Sequence, residues 1–490
     1  MKHYQKIIIL SFIFLLTLGF RLFFVFQTPY YSGDNAYYNI RHTVEINKFY
    51  QPMLYDDLSY GGRYSVVSPL YHYFLAFFNT LVPDGLAFKI IPEILLAGLV
   101  FLIYFISRSI TENETAALLS AFISGFLPIF IGETLNNISV YSIVLVLLFY
   151  CVYSLLNLKT HSTEFIILSF VLQILHPFGF VLGLAFLLYL ILLNIESIKI
   201  GRQTQEAVAF FVFIGILVNL ILFKKVFLAY GLQSVWQNIP KEMLVNYFQN
   251  VDVLSLLYGV GFIPLIFGIM GISVGVFKQK NNAIYLLSAL ILTLFILLFM
   301  RLIGFAVGMM FLAIFLTIMS ALAFDRVIAY INMTKFSSFK NAIFAGLIVL
   351  IALSLILPSY GRAKSVIAET ISPDEVAALH WIRGNTDEDS TVLAGINEGN
   401  YITAIAGRKN VADAQFLLAP DRYADVTTMF TSESLVIASQ LLDEYDVDYI
   451  YLSQRAMKFY RIENLKYLGD ENCFEKFYST ERAGIYKVLC

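Results

Sequence analysis

Tyr30-Tyr31-Ser32-Gly33-Asp34-Asn35-Ala36-Tyr37-Tyr38-Asn39 is the stretch around which the rest of the chain is organised, and it directly follows the first apolar run. It places one carboxylate, Asp34, among tyrosines, with Arg41, His42 and Glu45 behind it. A carboxylate at a membrane face is a usual ligand for a divalent cation held against a phosphate. The alternative is an ordinary polar loop in which Asp34 caps a helix. Taken alone, this stretch favours the cap, so the remainder of the chain has to decide.

The composition is that of a membrane protein. Of 490 residues, 59% are hydrophobic and 14% are charged, and the mean hydropathy is +0.73. Such hydrophobicity excludes an ordinary soluble protein and indicates many membrane spans. The net charge of -2 argues against nucleic acid as a partner. The 31 Tyr and 45 Phe exceed what a lipid-facing bundle needs, so many are expected at the interfaces or around a cavity.

Apolar runs of roughly 17–23 residues predict about 11 membrane spans within residues 1–358. The predicted spans are Ile7–Phe26, Phe88–Ser107, Thr115–Ile131, Ser139–Leu156, Glu164–Leu175, Phe178–Leu193, Ala207–Phe227, Leu254–Phe277, Ile284–Met300, Leu302–Phe324 and Ala342–Pro358. The two short runs around His176-Pro177 are expected to form either one broken helix or a re-entrant element. The first run lacks a small-residue cleavage site, which predicts an uncleaved span.

The distribution of Lys and Arg predicts a cytoplasmic N-terminus, because the short connections on that side then carry most of the basic residues. The long first loop, 27–86, lies outside in this arrangement, and its apolar segment Leu70–Leu81 predicts a short helix that lies in the interface or is tucked into the bundle. The basic residues that remain on or near the outer face are Arg63, Lys89, Lys224, Lys225, Lys241 and Arg301. The same arrangement gathers the unusual polar residues on the outer side, which predicts an outward-facing site.

The composition changes after the last span, and residues 359–490 predict an extracytoplasmic α/β domain of about 120 residues. Ser372-Pro373-Asp374-Glu375 indicates a helix start, and Leu435–Tyr445 indicates an amphipathic helix. The predicted strands are Ser390–Leu393, Val447–Leu452, Phe474–Tyr478 and Gly484–Leu489. Cys473 and Cys490 are expected to form a disulfide if the region is outside the cell, or to remain two free thiols.

Asp34 and Glu133 are the leading candidates for a metal site. Two hard oxygen ligands at the outer ends of spans suit Mg²⁺ or Mn²⁺, which would neutralise a departing phosphate. Taken alone, Glu133 fits a helix-end carboxylate in water better. His176 is either a third metal ligand or a polar plug at a helix break.

Several other polar residues lie in apolar surroundings. Arg301 lies in an apolar run, where a charged side chain is costly, so it suggests an anionic partner such as a lipid phosphate. An arginine whose side chain snorkels to the outer interface would explain its position equally well. Arg21, on the first span, is expected either to pair with an acid inside the bundle or to reach the interface. Trp236 and Tyr247 could pack on a sugar ring, but interface anchoring is their more common role. The sequence has no P-loop signature, so chemistry driven by cytoplasmic ATP is not indicated.

These features resemble the GT-C superfamily of integral membrane glycosyltransferases, and within it the catalytic subunit of oligosaccharyltransferase and related microbial enzymes. Asp34 in GDNAYYNIR matches the family's first-loop acid, and GGRYSVVSPLYHYFLA (Gly61–Ala76) resembles a helix common in microbial relatives. GETLNN (Gly132–Asn137) occupies the place of the second acidic motif. Ala378–Phe416 is the strongest match, since it resembles the start of the family's C-terminal domain.

The resemblance implies an inverting transfer of a sugar or oligosaccharide from a polyprenyl-phosphate or polyprenyl-diphosphate carrier to a protein, lipid or glycan acceptor. It implies that Asp34 is catalytic and binds Mn²⁺ or Mg²⁺ with Glu133 and His176. Arg301 would bind the lipid phosphate, since the family has a basic residue in a late span. The residues expected to contact donor or acceptor are Tyr37, Tyr38, Arg41, His42, Trp236, Glu242, Asn397 and Glu398.

The chain departs from the family pattern at two motifs. The family's WWDYG motif is replaced by Gly395-Ile396-Asn397-Glu398-Gly399. In the family, that motif recognises the hydroxyl residue of the asparagine acceptor sequon, so its loss argues against transfer to asparagine. The second motif has Glu133 and two asparagines in place of paired acids, so weaker metal binding or other ligands are expected. These departures support an alternative function, a non-catalytic binding or accessory protein with the same fold. A transporter is a further alternative, which the lack of a visible repeat disfavours.

Overall fold

Helices dominate the computed structural model, which describes residues 3–65, 67–82, 85–231, 244, 247, 253–333, 339–415 and 419–490. The helices up to residue 368 are α1 (His3–Val25), α2 (Asp34–Phe49), α3 (Leu70–Leu81), α4 (Leu86–Thr111), α5 (Glu114–Gly125), α6 (Pro128–Thr134), α7 (Tyr141–Leu156), α8 (Leu158–Leu175), α9 (Phe178–Ile195), α10 (Arg202–Leu222), α11 (Lys224–Tyr230), α12 (Val253–Val260), α13 (Phe262–Val274), α14 (Asn282–Phe299), α15 (Phe305–Met333) and α16 (Lys340–Ala368).

The number of membrane spans is lower than the sequence predicts. Within the described ranges, 8 helices are long and apolar enough to cross a membrane, or up to 9 if α5 and α6, bent by 44°, form one span. The prediction of about 11 spans is therefore not confirmed. One reason is that Pro128 lacks a backbone N–H and breaks the run predicted over Thr115–Ile131. Another is that α7, although apolar, has only 16 residues.

The apolar core of the bundle depends on close backbone approach between α13 and α15. Gly271 faces the backbone of Met319, and a Cβ at this glycine would overlap the Met319 carbonyl oxygen. Gly268 approaches Leu316 in the same way. Small residues at such crossings let two membrane helices pack at short range, where dispersion forces provide most of the attraction.

The long first loop, 27–86, which is predicted to lie outside and is called the outer loop below, carries α2, α3 and a two-stranded antiparallel ribbon of β1 (Tyr55–Asp56) and β2 (Arg63–Tyr64). Helix α3 has the predicted bounds and is amphipathic. It buries Tyr71 and Leu75 and exposes Phe77 and Leu81. Its 12 residues are too few to cross a bilayer, and whether it lies in the interface or is tucked into the bundle stays a prediction.

A five-stranded sheet organises the C-terminal region. The elements are α17 (Pro373–Asn385), β3 (Thr391–Leu393), α18 (Gly399–Tyr401), β4 (Lys409–Asn410), α19 (Pro420–Thr431), α20 (Leu435–Glu444), β5 (Tyr449–Ser453), α21 (Gln454–Tyr460), β6 (Phe474–Ser479) and β7 (Ala483–Val488). The strand order is β4-β3-β5-β7-β6, with β3 parallel to β4 and β5 and the other pairs antiparallel. Strands therefore occur at each of the four predicted positions, and Ser372 begins α17 with the capping box expected there. That residues 359–490 form a separate extracytoplasmic domain stays a prediction.

The first outer loop extends this sheet at the β4 edge. The backbone N–H of Asn410 donates to the Leu58 carbonyl at 2.9 Å, and the Tyr60 N–H donates to Asn410 Oδ1 at 3.0 Å. Ser59 forms a parallel bridge with Asn410. The loop that carries Asp34 is thereby fixed to the C-terminal region. At the far end of the chain, Cys473 and Cys490 form a disulfide, so the free-thiol alternative is not what the structure has.

Candidate functional site

Two cavities lie on either side of the start of α2. The sheet-side cavity, about 330 Å³, has a polar lining of Asp34, Asn35, Asn137, Asn397, Glu398 and Arg455. The helix-side cavity, about 340 Å³, has a polar lining that includes Asn39, His42, Arg63, His72, Gln173 and His176, with apolar residues of α8 and α10. Asn35 and Ala414 line both cavities, so the two spaces meet there.

Asp34 is buried, with 6% of its surface exposed, and connects the outer loop to the C-terminal region. Its carboxylate accepts a hydrogen bond from Asn400 Nδ2 at 2.5 Å and one from the Tyr401 backbone N–H at 3.1 Å. The helix cap is Gly33, with φ of +80°, and Asp34 is the first helical residue. Asp34 therefore does not cap its own helix, and the alternative interpretation of this stretch is wrong.

Burial raises the pKa of Asp34 well above its ordinary value, and the nearby charge of Asp413 raises it further. The hydrogen bonds from Asn400 and Tyr401 act in the opposite direction, because they stabilise the ionised form. A carboxylate with a raised pKa is a stronger base than one in water. Asp34 therefore has the property expected of a group that takes a proton from a substrate.

Glu398 faces the same cavity from the C-terminal region and is only 1% exposed. Its Oε1 accepts a hydrogen bond from Ser453 Oγ at 2.6 Å. Its Oε2 has no hydrogen-bond partner among the described residues. Burial raises the pKa of Glu398 to about 7, even though the Ser453 hydroxyl and the Arg455 guanidinium, 3.8 Å away, favour the ionised form. The sheet-side cavity thus holds a second carboxyl with an unused oxygen.

Glu398 makes the stability of the protein pH-dependent. Its pKa is higher in the folded chain than the ordinary value of 4.5. The contribution of Glu398 to the free energy of unfolding is therefore present at low pH and is lost as the pH rises to about 7. We expect Glu398→Gln to gain about 3 kcal/mol of stability relative to the natural chain between pH 4.5 and 7. Melting temperatures of both proteins in detergent across this range measure the difference.

The control for this prediction is Glu388→Gln, since Glu388 is an exposed residue of the same region. Its melting temperature should follow that of the natural chain at every pH. A pH-independent offset between Glu398→Gln and the natural chain would show that Glu398 is ionised throughout the range.

Arg455 and Arg63 hold the edges of the two cavities. Arg455 donates from Nη1 to the Glu369 carbonyl at 2.8 Å and from Nη2 to the Thr370 carbonyl at 3.2 Å, so it joins α21 to the end of α16. Arg63 donates from Nη2 to Asp413 Oδ2 at 2.7 Å. The Asp413 carboxylate also accepts from the Gln415 N–H, and so fixes the turn beside Ala414 where the cavities meet.

Two histidines stack in the helix-side cavity. The rings of His42 and His72 are 5.0 Å apart and tilted by 25°. Burial lowers the pKa of His42 to about 3 and that of His72 to about 4, so both imidazoles are neutral at pH 7. His72 Nε2 lies 2.8 Å from Asn39 Oδ1, whereas His42 Nε2 is buried without a partner among the described residues. A neutral imidazole can donate or accept a hydrogen bond, which suits a polar ligand in this cavity.

The first-loop residues predicted to contact substrate have different surroundings. Tyr38 stacks on His42 and lines the helix-side cavity. Tyr37 packs edge-on against Tyr401, which shapes the wall of the sheet-side cavity. Arg41 forms a two-point ion pair with the buried Asp56, so it stabilises the loop and does not line either cavity.

The predicted three-ligand metal site is not assembled. His176 belongs to the helix-side cavity, where its Nδ1 accepts the Phe178 N–H at 3.0 Å and so caps α9, as a polar plug at a helix break would do. Glu133 lies at the end of α6 and lines neither cavity. Among the described residues, no group of three or more His, Cys, Asp or Glu side chains is arranged to hold a metal ion. The described structure therefore does not bring Asp34, Glu133 and His176 together, and metal binding by this chain stays a prediction.

The sheet-side cavity nevertheless offers a different set of hard oxygen donors. Asp34 supplies a carboxylate, and Glu398 Oε2 and Asn137 Oδ1 are buried oxygens without partners in the described part of the chain. Carboxylate and amide oxygens suit Mg²⁺ and Mn²⁺. The donor chemistry therefore fits a hard cation at Asp34, with Glu398 and Asn137 as the further oxygen donors of the same cavity.

The remaining predicted residues lie away from the cavities or outside the described chain. Arg301 follows α14 with φ of +58°, and its Nη1 donates to the Leu244 carbonyl at 2.9 Å. It lines neither cavity, and its role at a lipid phosphate stays a prediction. Trp236 and Glu242 lie outside the described residues.

Sequence reasoning missed several residues that build the site. Asn400 and Tyr401 lie just beyond the segment that replaces WWDYG, and nothing in their residue types signals contact with Asp34. Arg455 also gives no signal, because it follows a strand as many surface arginines do. Asp413 could have been singled out, since it lies near the end of the matched segment Ala378–Phe416, five residues after Arg408. Arg63 stands out only as a basic residue on the outer face.

Nearly all of the given chain aligns with solved membrane glycosyltransferases. The apo oligosaccharyltransferase of Archaeoglobus fulgidus aligns over 99% of this chain and 75% of its own length, at 15% identity and a TM-score of 0.72. The same organism's AglB, in complex with an inhibitory peptide and a dolichol-phosphate, aligns over 98% and 73%, again at 15% identity and a TM-score of 0.72. ArnT of Cupriavidus metallidurans bound to undecaprenyl phosphate aligns over 99% and 98%, at 10% identity and a TM-score of 0.60.

No protein-family model matches the chain, and no curated protein matches it by sequence. At identities this low, structural similarity establishes the fold alone. The chain has the GT-C fold of integral membrane glycosyltransferases and resembles the oligosaccharyltransferase catalytic subunit, which confirms the resemblance inferred from the sequence.

Proposed function

We propose that this protein is a membrane glycosyltransferase that moves a sugar from a polyprenyl-phosphate or polyprenyl-diphosphate carrier to an acceptor. The observation that carries the proposal is the position of Asp34, a buried carboxylate that lines the sheet-side cavity directly before Asn35, which lines both cavities. A transfer between two substrates needs two pockets that meet at a reacting group. The dolichol-phosphate and undecaprenyl phosphate in the similar structures support a polyprenyl carrier.

The helix-side cavity suits the donor. Its apolar wall includes Ile174 and Leu222, which would pack on the first prenyl units, and its polar wall carries His42 and His72. Neutral imidazole N–H groups can donate hydrogen bonds to phosphate oxygens without a full buried charge. Arg63, at the edge of this cavity, adds positive charge near the phosphate, although its pairing with Asp413 offsets part of it.

The sheet-side cavity suits the acceptor, and Asp34 is placed to activate it. The acceptor hydroxyl or amide would attack the anomeric carbon of the sugar as its proton passes to Asp34. The bond from the anomeric carbon to the phosphate oxygen breaks in the same displacement, which inverts the configuration and leaves the lipid phosphate or diphosphate. Mn²⁺ or Mg²⁺ bound by Asp34, Glu398 and Asn137 would supply positive charge to stabilise that leaving group.

We assign the reaction to the outer face of the membrane, with the N-terminus in the cytoplasm. The Cys473–Cys490 disulfide supports this assignment, because disulfides persist in oxidising compartments and are rare in the cytosol. The acceptor is a protein, lipid or glycan that enters from that side.

A second candidate function is a non-catalytic binding or accessory protein with the same fold. One observation favours it: both Asp34 oxygens already accept hydrogen bonds from the C-terminal region. In an enzyme, one of these contacts must give way when the acceptor binds. In a binding protein, both would persist and serve only to fix the outer loop.

The test is sugar transfer by the purified chain in detergent. We expect turnover or hydrolysis of at least one donor in a panel of polyprenyl-phosphate and polyprenyl-diphosphate sugars supplied with Mn²⁺, and loss of that turnover on addition of a chelator. Chelation that leaves turnover unchanged would remove the metal from the proposal. Saturable binding of the same lipids by a folded chain that turns over none of them would favour the accessory protein.

A further inference from the structure

Buried charges join α1, α4 and α6, and neither cavity includes them. Arg21 on α1 is fully buried and donates from Nε to Glu93 Oε2 at 2.5 Å and from Nη2 to Thr134 Oγ1 at 3.0 Å. Glu93, which is 1% exposed, accepts the Asn136 backbone N–H at 2.9 Å. Arg21 therefore pairs with an acid inside the bundle and does not reach the interface. Buried charges of this kind are costly, so they call for a role beyond packing.

Lys89, on α4, extends the network to the segment that joins α1 to α2. Its Nζ donates to the carbonyls of Tyr30 at 2.7 Å and Thr28 at 3.1 Å, and to Asn136 Oδ1 at 2.7 Å. An ammonium group has three N–H donors, so these contacts occupy all of them. Lys89 is itself buried, with 7% of its surface exposed.

Asn136 connects the network to the two sides of the sheet-side cavity. Its Nδ2 donates to the Tyr30 carbonyl and to Ser32 Oγ, each at 3.1 Å, and its carbonyl accepts the Ser32 N–H at 2.9 Å. Asp34 follows Ser32 by two residues, and Asn137 follows Asn136 directly. Both Asp34 and Asn137 line the cavity. The network thus fixes the backbone on both sides of the proposed reacting group.

We propose that Lys89, Glu93 and Asn136 are positioning residues that hold the segment 28–33 so that Asp34 enters the sheet-side cavity. The three residues have different roles. Lys89 donates to carbonyls of the segment, and Asn136 binds Ser32. Glu93 accepts the Asn136 backbone N–H and offsets the positive charges of Arg21 and Lys89. An apolar side chain in place of Lys89 would remove the donor to the Thr28 carbonyl and to Asn136 Oδ1 and one of the two donors to the Tyr30 carbonyl, which costs free energy and favours another path for the segment. The claim that this placement of Asp34 serves catalysis rests on the proposed function. The claim that the three residues hold the segment 28–33 in place does not.

The decisive variant is Asn136→Gly, because Asn136 has φ of +54° and glycine adopts that conformation without strain. The substitution removes all three side-chain hydrogen bonds, to Lys89, Tyr30 and Ser32, and retains the backbone. We expect hydrogen–deuterium exchange of the amides in 30–36, measured by mass spectrometry on the full chain in detergent, to accelerate at least tenfold. The matched control is Tyr50→Gly, an exposed residue with φ of +58° at the end of α2, which should leave exchange in 30–36 unchanged.

Lys89→Met should accelerate exchange in the same segment, whereas Ser107→Ala, which removes another buried polar group of α4, should not. Should Lys89→Met fail to fold, Asn136→Gly still decides. We further expect Asn136→Gly to lower kcat per folded molecule at least tenfold at an unchanged KM for the donor. Unchanged exchange in 30–36 for Asn136→Gly overturns the proposal. A natural chain that turns over no donor refutes the proposed function instead, and the exchange data then decide the positioning role alone.

Discussion

Asp34→Asn is expected to lower the rate of sugar transfer by at least about 100-fold, the range associated with loss of a general base. The amide has nearly the same shape as the carboxylate but cannot take a proton from the acceptor. It would also weaken binding of a hard cation, because it removes a negative charge from the donor set. The measurement is kcat with the donor that the natural chain turns over, at saturating Mn²⁺.

The fold of this variant should persist, since the amide oxygen can accept from the Tyr401 N–H, and the amide NH2 can donate to Asn400 Oδ1 once the Asn400 carboxamide turns over. Its carboxamide also relieves the burial of a charged group, so its melting temperature should not fall. Asp57→Asn is the matched control, because Asp57 is an exposed acid of the same outer loop and should retain full activity. Full activity of Asp34→Asn would place the proton acceptor elsewhere, with Glu398 the next carboxyl in the cavity.

The elements that the sequence predicts well are those governed by local pattern. Helix α3 has its predicted bounds because its apolar residues recur with helical spacing and Pro69 immediately precedes it. The capping box at Ser372 is local in the same sense, since all its hydrogen bonds lie within one turn. Strand β5 is predicted for a different reason, because a short apolar run between turn residues is typical of a buried strand.

The elements that the sequence does not predict depend on distant contacts. Strand β4 has 2 residues and is held by β3 on one side and by the outer loop near Ser59 on the other, so no local pattern marks it. The partners of Asp34 show the same limitation, because Asn400 lies 366 residues away in the chain. Residue type suggests His176 as a metal ligand, but its ring nitrogen caps α9 and it lines the other cavity.

The count of spans fails for a third reason. Hydrophobicity alone cannot separate a helix that crosses the membrane from one that is apolar because it is buried in the bundle. Helix α7 is such a case, since its buried residues include Phe149 and Cys151 and it has only 16 residues. Arg21 and Glu93 show the opposite difficulty, since each is a charged residue inside a predicted apolar span. Their burial in the bundle is explained by the ion pair between them, which the sequence of either span alone does not reveal.

Asp413→Ala is expected to destabilise the protein by about 3 kcal/mol or more, the usual cost of removing one partner of a buried ion pair. The Asp413 side chain is fully buried, and the Arg63 side chain that donates to it is 12% exposed. The substitution leaves that guanidinium without its counter-ion and removes the acceptor for the Tyr60 hydroxyl and the Gln415 N–H. Thermal unfolding of the full chain in detergent measures the loss.

The contrast that makes this prediction specific is Asp389→Ala in the same C-terminal region. Asp389 pairs with Lys409 on β4, but its side chain is 95% exposed, so water screens the pair and its loss should cost less than about 1 kcal/mol. A double variant, Arg63→Leu with Asp413→Leu, should recover part of the stability that Asp413→Ala loses, because no unpaired charge then remains buried. Equal effects of Asp413→Ala and Asp389→Ala would mean that the outer loop is held to the sheet chiefly by the backbone contacts of Asn410. A large effect confined to Asp413→Ala would show that one buried charge pair fixes the loop carrying Asp34 against the region that supplies its partners.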